Sequence, residues 1–311
     1  MSRLVEDETL QRIRSALESG TQDVDLTDDA AVVWVPGGGP LVLSVDSVVE
    51  GVHVDLAFCN PRDIGWKALM GALSDLAAMG ARPLGALVAL CVPPGVDAVA
   101  VMEGVGEAAG VSGCLIVGGD VSSSGQLVVT VTVMGTVEDG GTAVARSGAR
   151  AGDVVFVTGP CGASAAGLRL LRAGQEAGSA GQAYRRPVAR LAEGEVARRA
   201  GARAMIDVSD GLALDLHRLA DRSGVGFELD AVPVGEGAAL DEALGGGEDY
   251  ELVVVMGPTE VEEYLARSDE AGLRPPIRIG VIRADAGVRR LAGEALPTLG
   301  WQHPLDDGSA S

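Results

Sequence analysis

Lysine is almost missing from this chain of 311 residues: Lys67 is the only one, and the other 23 basic residues are arginine. Chemistry that needs a lysine amine must use Lys67 or do without it. Aromatic residues are scarce as well, at 3 %, so the core has to be built from Val, Leu, Ala and a few Met. Basic residues number 24 against 44 acidic ones, which leaves a formal net charge of −20. That balance excludes a protein drawn by its own charge to nucleic acid or to an anionic membrane, because both need net cationic surface. No stretch reaches the ~18 uninterrupted apolar residues of a membrane span. The N-terminus, Met1 to Glu8, is acidic with no apolar run behind it, and does not read as a signal peptide. Cys59, Cys91, Cys114 and Cys161 are scattered without a CxxC pair, which reads as buried thiols rather than a zinc site or a disulfide framework. Together these absences predict a soluble, cytoplasmic protein.

What is present describes a folded chain. Apolar residues make up 47 % and charged ones 22 %, a composition that excludes disorder, and the length suits two domains. Hydrophobic periodicity predicts a short amphipathic helix over Glu8 to Leu17 and strands over Ala30 to Val35 and Leu41 to Val45. Pro61 opens a long helix that runs to Met79 and stops at Gly80. A strand is expected over Leu84 to Val92, a helix over Val96 to Ala109, and a buried strand over Cys114 to Val117. Another strand follows over Gln126 to Val137. The segment Glu138-Asp139-Gly140-Gly141-Thr142 is the expected junction, dividing the chain into an N-terminal domain (1–139) and a C-terminal domain (140–311). Beyond it, strands are expected at Val154 to Thr158, Ala204 to Ile206, Val225 to Leu229, Glu251 to Met256 and Ile277 to Ile282. Helices are expected at Ser164 to Leu171, from Pro187 and at Leu212 to Arg222, with a polar linker around Gln175 to Gln182. No clean βαβ alternation and no internal repeat emerges, so the expected class is α+β in two domains.

The acidic residues are not all surface decoration. Asp46 follows the run Leu41 to Val45, Asp120 follows Ile116-Val117-Gly118-Gly119, and Asp207 ends Ala204-Met205-Ile206. Ser209-Asp210-Gly211 opens the next helix, and Asp28-Asp29 precede the Ala30 strand. Asp75 lies in mid-helix, on a stripe shared with the small residues Ala68, Gly71, Ala72 and Ala78. Any one of these could serve as a helix cap or a turn residue. As a group at strand ends, in a chain with one lysine, they point instead to hard divalent cations. Mg²⁺ takes oxygen ligands and completes its shell with water and substrate phosphates.

Other phosphate signals are weaker. No G-x-x-x-x-G-K-[ST] exists, which excludes a Walker loop, and neither Gly104-Val105-Gly106 nor Gly159-Pro160-Cys161-Gly162 has dinucleotide-fingerprint spacing. Gly159 to Ser164 reads either as a tight turn or as a phosphate-accepting helix N-terminus. Gly118-Gly119-Asp120 places bare backbone beside a carboxylate, a pattern suited to phosphate and metal. Arg146 is either a solvated loop residue or a bidentate phosphate ligand. Of the three histidines, His217 reads as structural, His303 lies near a tail, and His53, soon after Asp46, is expected to touch substrate.

These segments resemble the thiamine-monophosphate kinase family. The resemblance rests on Asp28-Asp29-Ala30-Ala31-Val32, on Asp46 with Val49-Glu50-Gly51-Val52-His53, and on Leu73-Ser74-Asp75-Leu76-Ala77-Ala78-Met79-Gly80. It rests also on Gly118-Gly119-Asp120, Arg146-Ser147-Gly148-Ala149, Met205 to Leu212 and Gly247-Glu248-Asp249-Tyr250-Glu251-Leu252, in the family's order. It implies the aminoimidazole-ribonucleotide-synthetase-like fold, two α+β domains, and a homodimer formed through the N-terminal sheets. It implies ATP-dependent phosphorylation of thiamine phosphate to thiamine diphosphate with several Mg²⁺ ions. Carried across by motif, Asp28, Ser44, Val45 (through its carbonyl), Asp46, Asp75, Asp120, Asp207 and Asp210 are the expected metal ligands. Gly119, Asp120, Arg146 and Ser209 are expected at ATP, and His53, Glu248 and Trp301 at thiamine phosphate. The catalytic set is then Asp46, Asp75, Asp120 and Asp207. The attacking phosphate oxygen, with a second pKa near ~6, needs no strong base. The chain departs from the pattern at Thr27, where members carry glycine, and lacks a tyrosine upstream of Gly118. A non-catalytic metal- or nucleotide-binding dimer of the same fold is the alternative. A selenophosphate synthetase would need a lysine and a cysteine ahead of Cys59.

Overall fold

Strands β1 (Ala31–Trp34), β2 (Pro40–Val49), β3 (Arg82–Val92), β4 (Leu115–Ser123) and β5 (Val128–Thr136) form a five-stranded sheet in the order β1–β2–β5–β3–β4. Every pairing is antiparallel except that of β3 with β4. The computed structural model describes residues 27–36, 39–137 and 141–303, together with 9, 10, 12, 13, 15 and 16, which are helical as expected. Glu138, Asp139 and Gly140 of the expected junction lie outside the described residues.

Helices α1 (Pro61–Ala78) and α2 (Ala98–Ser112) cover one face of this sheet. The start of α1 is fixed by a capping box: Asn60 accepts from Asp63 N at 3.0 Å, and Asp63 accepts from Asn60 N at 3.3 Å. Unlike an ordinary surface helix, α1 is buried nearly all round, because its flanks are taken by α2, by the sheet, and by elements of the second half of the chain.

The second sheet uses β6 (Val154–Val157), β7 (Ala204–Asp207), β8 (Gly226–Leu229), β9 (Leu252–Met256), β10 (Ile277–Arg283), β11 (Arg289–Leu291) and β12 (Glu294–Ala295). Their order is β12–β11–β8–β10–β6–β9–β7, mainly antiparallel, with β11 parallel to β8. Around it lie α3 (Ala163–Arg172), α4 (Gly178–Arg185), α5 (Leu191–Arg199), α6 (Leu212–Ser223), α7 (Leu240–Gly245) and α8 (Val261–Glu270). Each sheet has its own core. A third cluster joins the two halves, where Ala77 and Ala78 of α1 meet Phe156, Met205, Leu252 and Val254. The architecture is thus α+β in two sheet-centred halves, as the composition and pattern predict.

Three local expectations fail. Asp46 does not end its strand, because β2 continues to Val49. The run Cys114 to Val117 is not a buried strand: β4 extends through Gly118-Gly119-Asp120 to Ser123 and is exposed along its whole length. An apolar run is exposed there because β4 is the edge strand and little among the described residues packs over it. The segment read as a polar linker forms α4, pressed so closely on α3 that a Cβ on Gly167 would lie 2.1 Å from the Ala180 carbonyl oxygen.

Candidate active site

The site is organised on α1. Lys67, Gly71 and Asp75 recur every four residues and so share one helix face. A Cβ on Gly71 would lie 3.1 Å from both Asp46 Oδ2 and the Tyr250 hydroxyl. Glycine at this position therefore lets β2 and the loop before β9 close on the helix, forming a cavity of about 470 Å³ between the two halves of the chain.

At one end of this cavity three carboxylates converge. Oxygen atoms of Asp29, Asp75 and Asp207 lie within 4.8 Å of one another. Ser44 Oγ donates to Asp75, and Ser74 Oγ donates to Asp207 Oδ2 at 2.7 Å. Arg146 Nη2 bonds Asp29 Oδ1 at 2.7 Å while the Arg146 backbone N–H bonds Asp28 Oδ1 at 2.9 Å. The other oxygen of Asp29 is buried and has no hydrogen-bond partner among the described residues. Burial, then the neighbouring carboxylates, hold Asp75 and Asp207 well above the usual carboxylate range. Such an arrangement is costly unless protons or a cation neutralise it. The donor set is oxygen only, and one oxygen is orphaned, so these residues fit a hard divalent cation such as Mg²⁺.

The loop Ser209-Asp210-Gly211 borders the same end. Asp215 Oδ2 accepts from the backbone N–H groups of Asp210 and Gly211, each at 3.0 Å. Arg218 ties Asp215 and Asp210 together. Burial, then the charge of Asp210, pushes the Asp215 carboxyl up to about 7.

The other end holds rings and an ion pair. His53 Nδ1 accepts from the Val49 N–H at 3.1 Å, and its ring meets that of His303 edge-on at 5.4 Å. Burial holds the His53 imidazole below its ordinary value. Trp301 is anchored by its backbone N–H to the Asp210 carbonyl at 2.8 Å. Glu248 and Tyr250 both have left-handed backbone, with φ of 65° and 50°, which non-glycine residues adopt only under constraint. The constraint comes from Glu248 N–H to Ser209 O at 2.7 Å and Tyr250 N–H to Val208 O at 2.9 Å. Between them, Asp249 accepts from Gly162 N–H at 2.6 Å and Ser164 N–H at 3.4 Å. The N-terminus of α3 is therefore occupied by a carboxylate of the chain itself, which settles Gly159 to Ser164 as a turn rather than a phosphate site.

Of the residues singled out in the sequence, Val45, Asp46, His53, Asp75, Asp207, Ser209, Asp210, Glu248 and Trp301 all line the cavity. Ser44 stands behind Asp75, and Asp28 and Arg146 stand behind the carboxylate cluster. Gly119 and Asp120 are not brought to it within one chain. Gly119 lies in the cross-sheet row of Asp46, Val131 and Val88, three strands and about 14 Å away at ordinary strand spacing. Asp120 falls in the row Ser47, Thr130 and Ala89, on the opposite, open face of the sheet. Sequence reasoning missed Asp29 as a cluster member, together with Lys67, Tyr250 and Asp215. The spacing of Lys67 and Asp75 around Gly71 was the available signal for Lys67.

Comparison with known proteins identifies the family. Residues 27–137 match the family model for the AIR synthase related protein N-terminal domain, and residues 150–292 match its C-terminal domain. The thiamine-monophosphate kinase of Bacillus subtilis is 38 % identical over 281 residues, covering 84 % of this chain and 86 % of the relative. That of Mycobacterium tuberculosis is 41 % identical over 251 residues, 74 % of each chain. A solved structure described as AaThiL complexed with AMPPCP and TMP superposes with a TM-score of 0.85 at 31 % identity, covering 97 % of this chain and 98 % of that one. The shared fold, the coverage of both halves and the level of identity place this chain in the thiamine-monophosphate kinase family.

Proposed function

We propose that this chain uses ATP to phosphorylate thiamine phosphate, giving thiamine diphosphate and ADP by direct transfer with no covalent enzyme intermediate. The observation that carries the proposal is the convergence of Asp29, Asp75 and Asp207 at one end of a cavity whose other end holds rings and a carboxylate. The relatives named as kinases of this substrate, and the solved neighbour complexed with AMPPCP and TMP, support the choice of substrates.

Asp28, Asp29, Ser44, the Val45 carbonyl, Asp46, Asp75, Asp120, Asp207 and Asp210 are the proposed Mg²⁺ ligands. Bound there, Mg²⁺ neutralises the charge of two approaching phosphate groups and polarises the transferring one. Arg146, Ser209, Gly119 and Asp120 are the proposed ATP contacts. Arg146 also fixes Asp29 and Asp28, which keeps the carboxylate cluster in register. His53, Glu248 and Trp301 hold the substrate ring at the far end, leaving its phosphate directed to the aspartates. The attacking phosphate oxygen is already ionised at neutral pH, so no residue has to remove a proton from it. The bond formed joins that oxygen to the γ-phosphorus, and the bond broken is the one to the β–γ bridging oxygen.

We further propose that the domains divide at 139/140 and that two copies associate through the open face of the first sheet. Val45, Leu84, Leu87, Leu115 and Val117 are exposed on that sheet, an apolar area that a second copy would cover. Gly119 and Asp120 lie in the strand that such an association would enclose. The proposed location is the cytoplasm, whose reducing conditions suit four unpaired cysteines.

Phosphorus NMR of the purified chain with ATP, Mg²⁺ and thiamine phosphate tests the reaction. The expected result is matched growth of ADP and thiamine diphosphate signals. ATP turnover that ignores thiamine phosphate, or no turnover, rejects it. Asp75→Asn is expected to fold and to lose turnover by a factor of roughly 10² or more.

A further inference from the structure

Lys67 has no place in the phosphoryl transfer outlined above, yet its side chain is 0 % exposed. A buried ammonium needs partners both for its charge and for its three N–H groups. Here Nζ donates to Glu248 Oε2 at 2.7 Å and to the His53 carbonyl at 3.2 Å, and lies 4.2 Å from the centre of the Tyr184 ring. Lys67 therefore touches two of the three residues proposed to hold the substrate ring. It reaches them from α1, whereas Glu248 is held from the other half of the chain by its backbone bond to Ser209. One Glu248 oxygen is thus committed to Lys67. The other has no hydrogen-bond partner among the described residues, and Glu248 lines the cavity.

We propose that Lys67 is a specificity-determining positioning residue: by fixing one Glu248 oxygen it presents the other to the cavity as an acceptor that selects a heteroaromatic ring bearing an amino group over the same ring bearing an oxo group. The inference rests on the function proposed above and concerns the ring end of the substrate. A carboxylate only accepts hydrogen bonds, and an amino group supplies the donor that an oxo group lacks. An oxo group set against the fixed oxygen leaves both acceptors desolvated and unpaired, the kind of mismatch on which polar pockets discriminate best. Without Lys67 the carboxylate loses the donor that holds it, can turn, and admits water, which donates to either group.

Two substrates, thiamine phosphate and its oxo analogue oxythiamine phosphate, test the proposal through the ratio of their kcat/KM values at saturating ATP and Mg²⁺. Within one preparation that ratio is independent of the fraction of enzyme that has folded. Wild type is expected to favour the amino substrate by roughly 100-fold or more. Lys67→Met is expected to cut the preference by about tenfold, and Lys67→Arg to keep most of it. If Lys67→Met lowers both values equally, Lys67 serves folding alone and the proposal is overturned. Should Lys67→Met yield no folded protein, Glu248→Gln decides: its amide both donates and accepts, so an unchanged ratio overturns the proposal. Wild type that uses both substrates equally well overturns it too while leaving the kinase reading intact. Wild type that phosphorylates neither removes the kinase reading and this inference together.

Discussion

Asp249 shows how a single side chain carries both architecture and pH dependence. Its carboxylate terminates α3 from within the chain, and burial pushes it from 3.8 up to about 7. The folded state then keeps a proton that the unfolded chain releases above about pH 4. Stability contributed by the protonated group is full below that point and is lost as pH rises towards 7. Asp249→Asn keeps an acceptor for the Gly162 N–H without the titration. Its melting temperature in EDTA should therefore fall less between pH 5 and pH 8 than that of wild type, and parallel curves would assign the slope to other groups. Trp301 is a different case. It is 47 % exposed, anchored by its backbone N–H, and its ring meets that of His303 edge-on and lines the cavity. Trp301→Ala is expected to raise the KM for thiamine phosphate several-fold with little change in the KM for ATP, read from steady-state kinetics.

At the scale of elements, α1 is the axle of the molecule, and glycines set how closely its neighbours approach. A Cβ on Gly104 of α2 would lie 1.9 Å from the Arg62 carbonyl, and one on Gly194 of α5 would lie 2.0 Å from that of Ala77. Gly104→Ala therefore forces two helices apart and is expected to destabilise the protein by about 2 kcal/mol or more, measured by urea denaturation. This helix was legible in the sequence because Pro61 and Gly80 are local signals and apolar residues recur along its whole length. So were most strands, and so were the aspartates, since a carboxylate between apolar runs stands out without knowledge of its neighbours. What was not legible depends on cover supplied from elsewhere. Leu115-Ile116-Val117 reads as buried, but little among the described residues lies over β4. Gln175 to Gln182 reads as a linker, but packing on α3 stabilises Gly178–Arg185 as a helix. Asp249 gave no sign that it would fill the end of α3, because 87 residues separate it from Gly162. The left-handed backbone at Glu248 and Tyr250 is likewise a product of tertiary hydrogen bonds rather than of residue type.

On the scale of the whole molecule, the proposed association through the first sheet predicts that the wild-type chain sediments as a dimer and that Leu87→Glu sediments as a monomer. Val45, Thr132 and Leu87 form one row across the open face, so a single carboxylate there interrupts the apolar surface at its middle. Sedimentation velocity decides it, and a monomeric wild type would leave that face without a second copy to cover it. The sealed position of Lys67 has another consequence. Acylating reagents, crosslinkers and acetyl donors that modify ε-amines find none on the native surface, since the chain's sole example is enclosed between its two halves. Mass-shift labelling at that one residue therefore becomes a clock for how often the halves part, and substrate that bridges them should slow it.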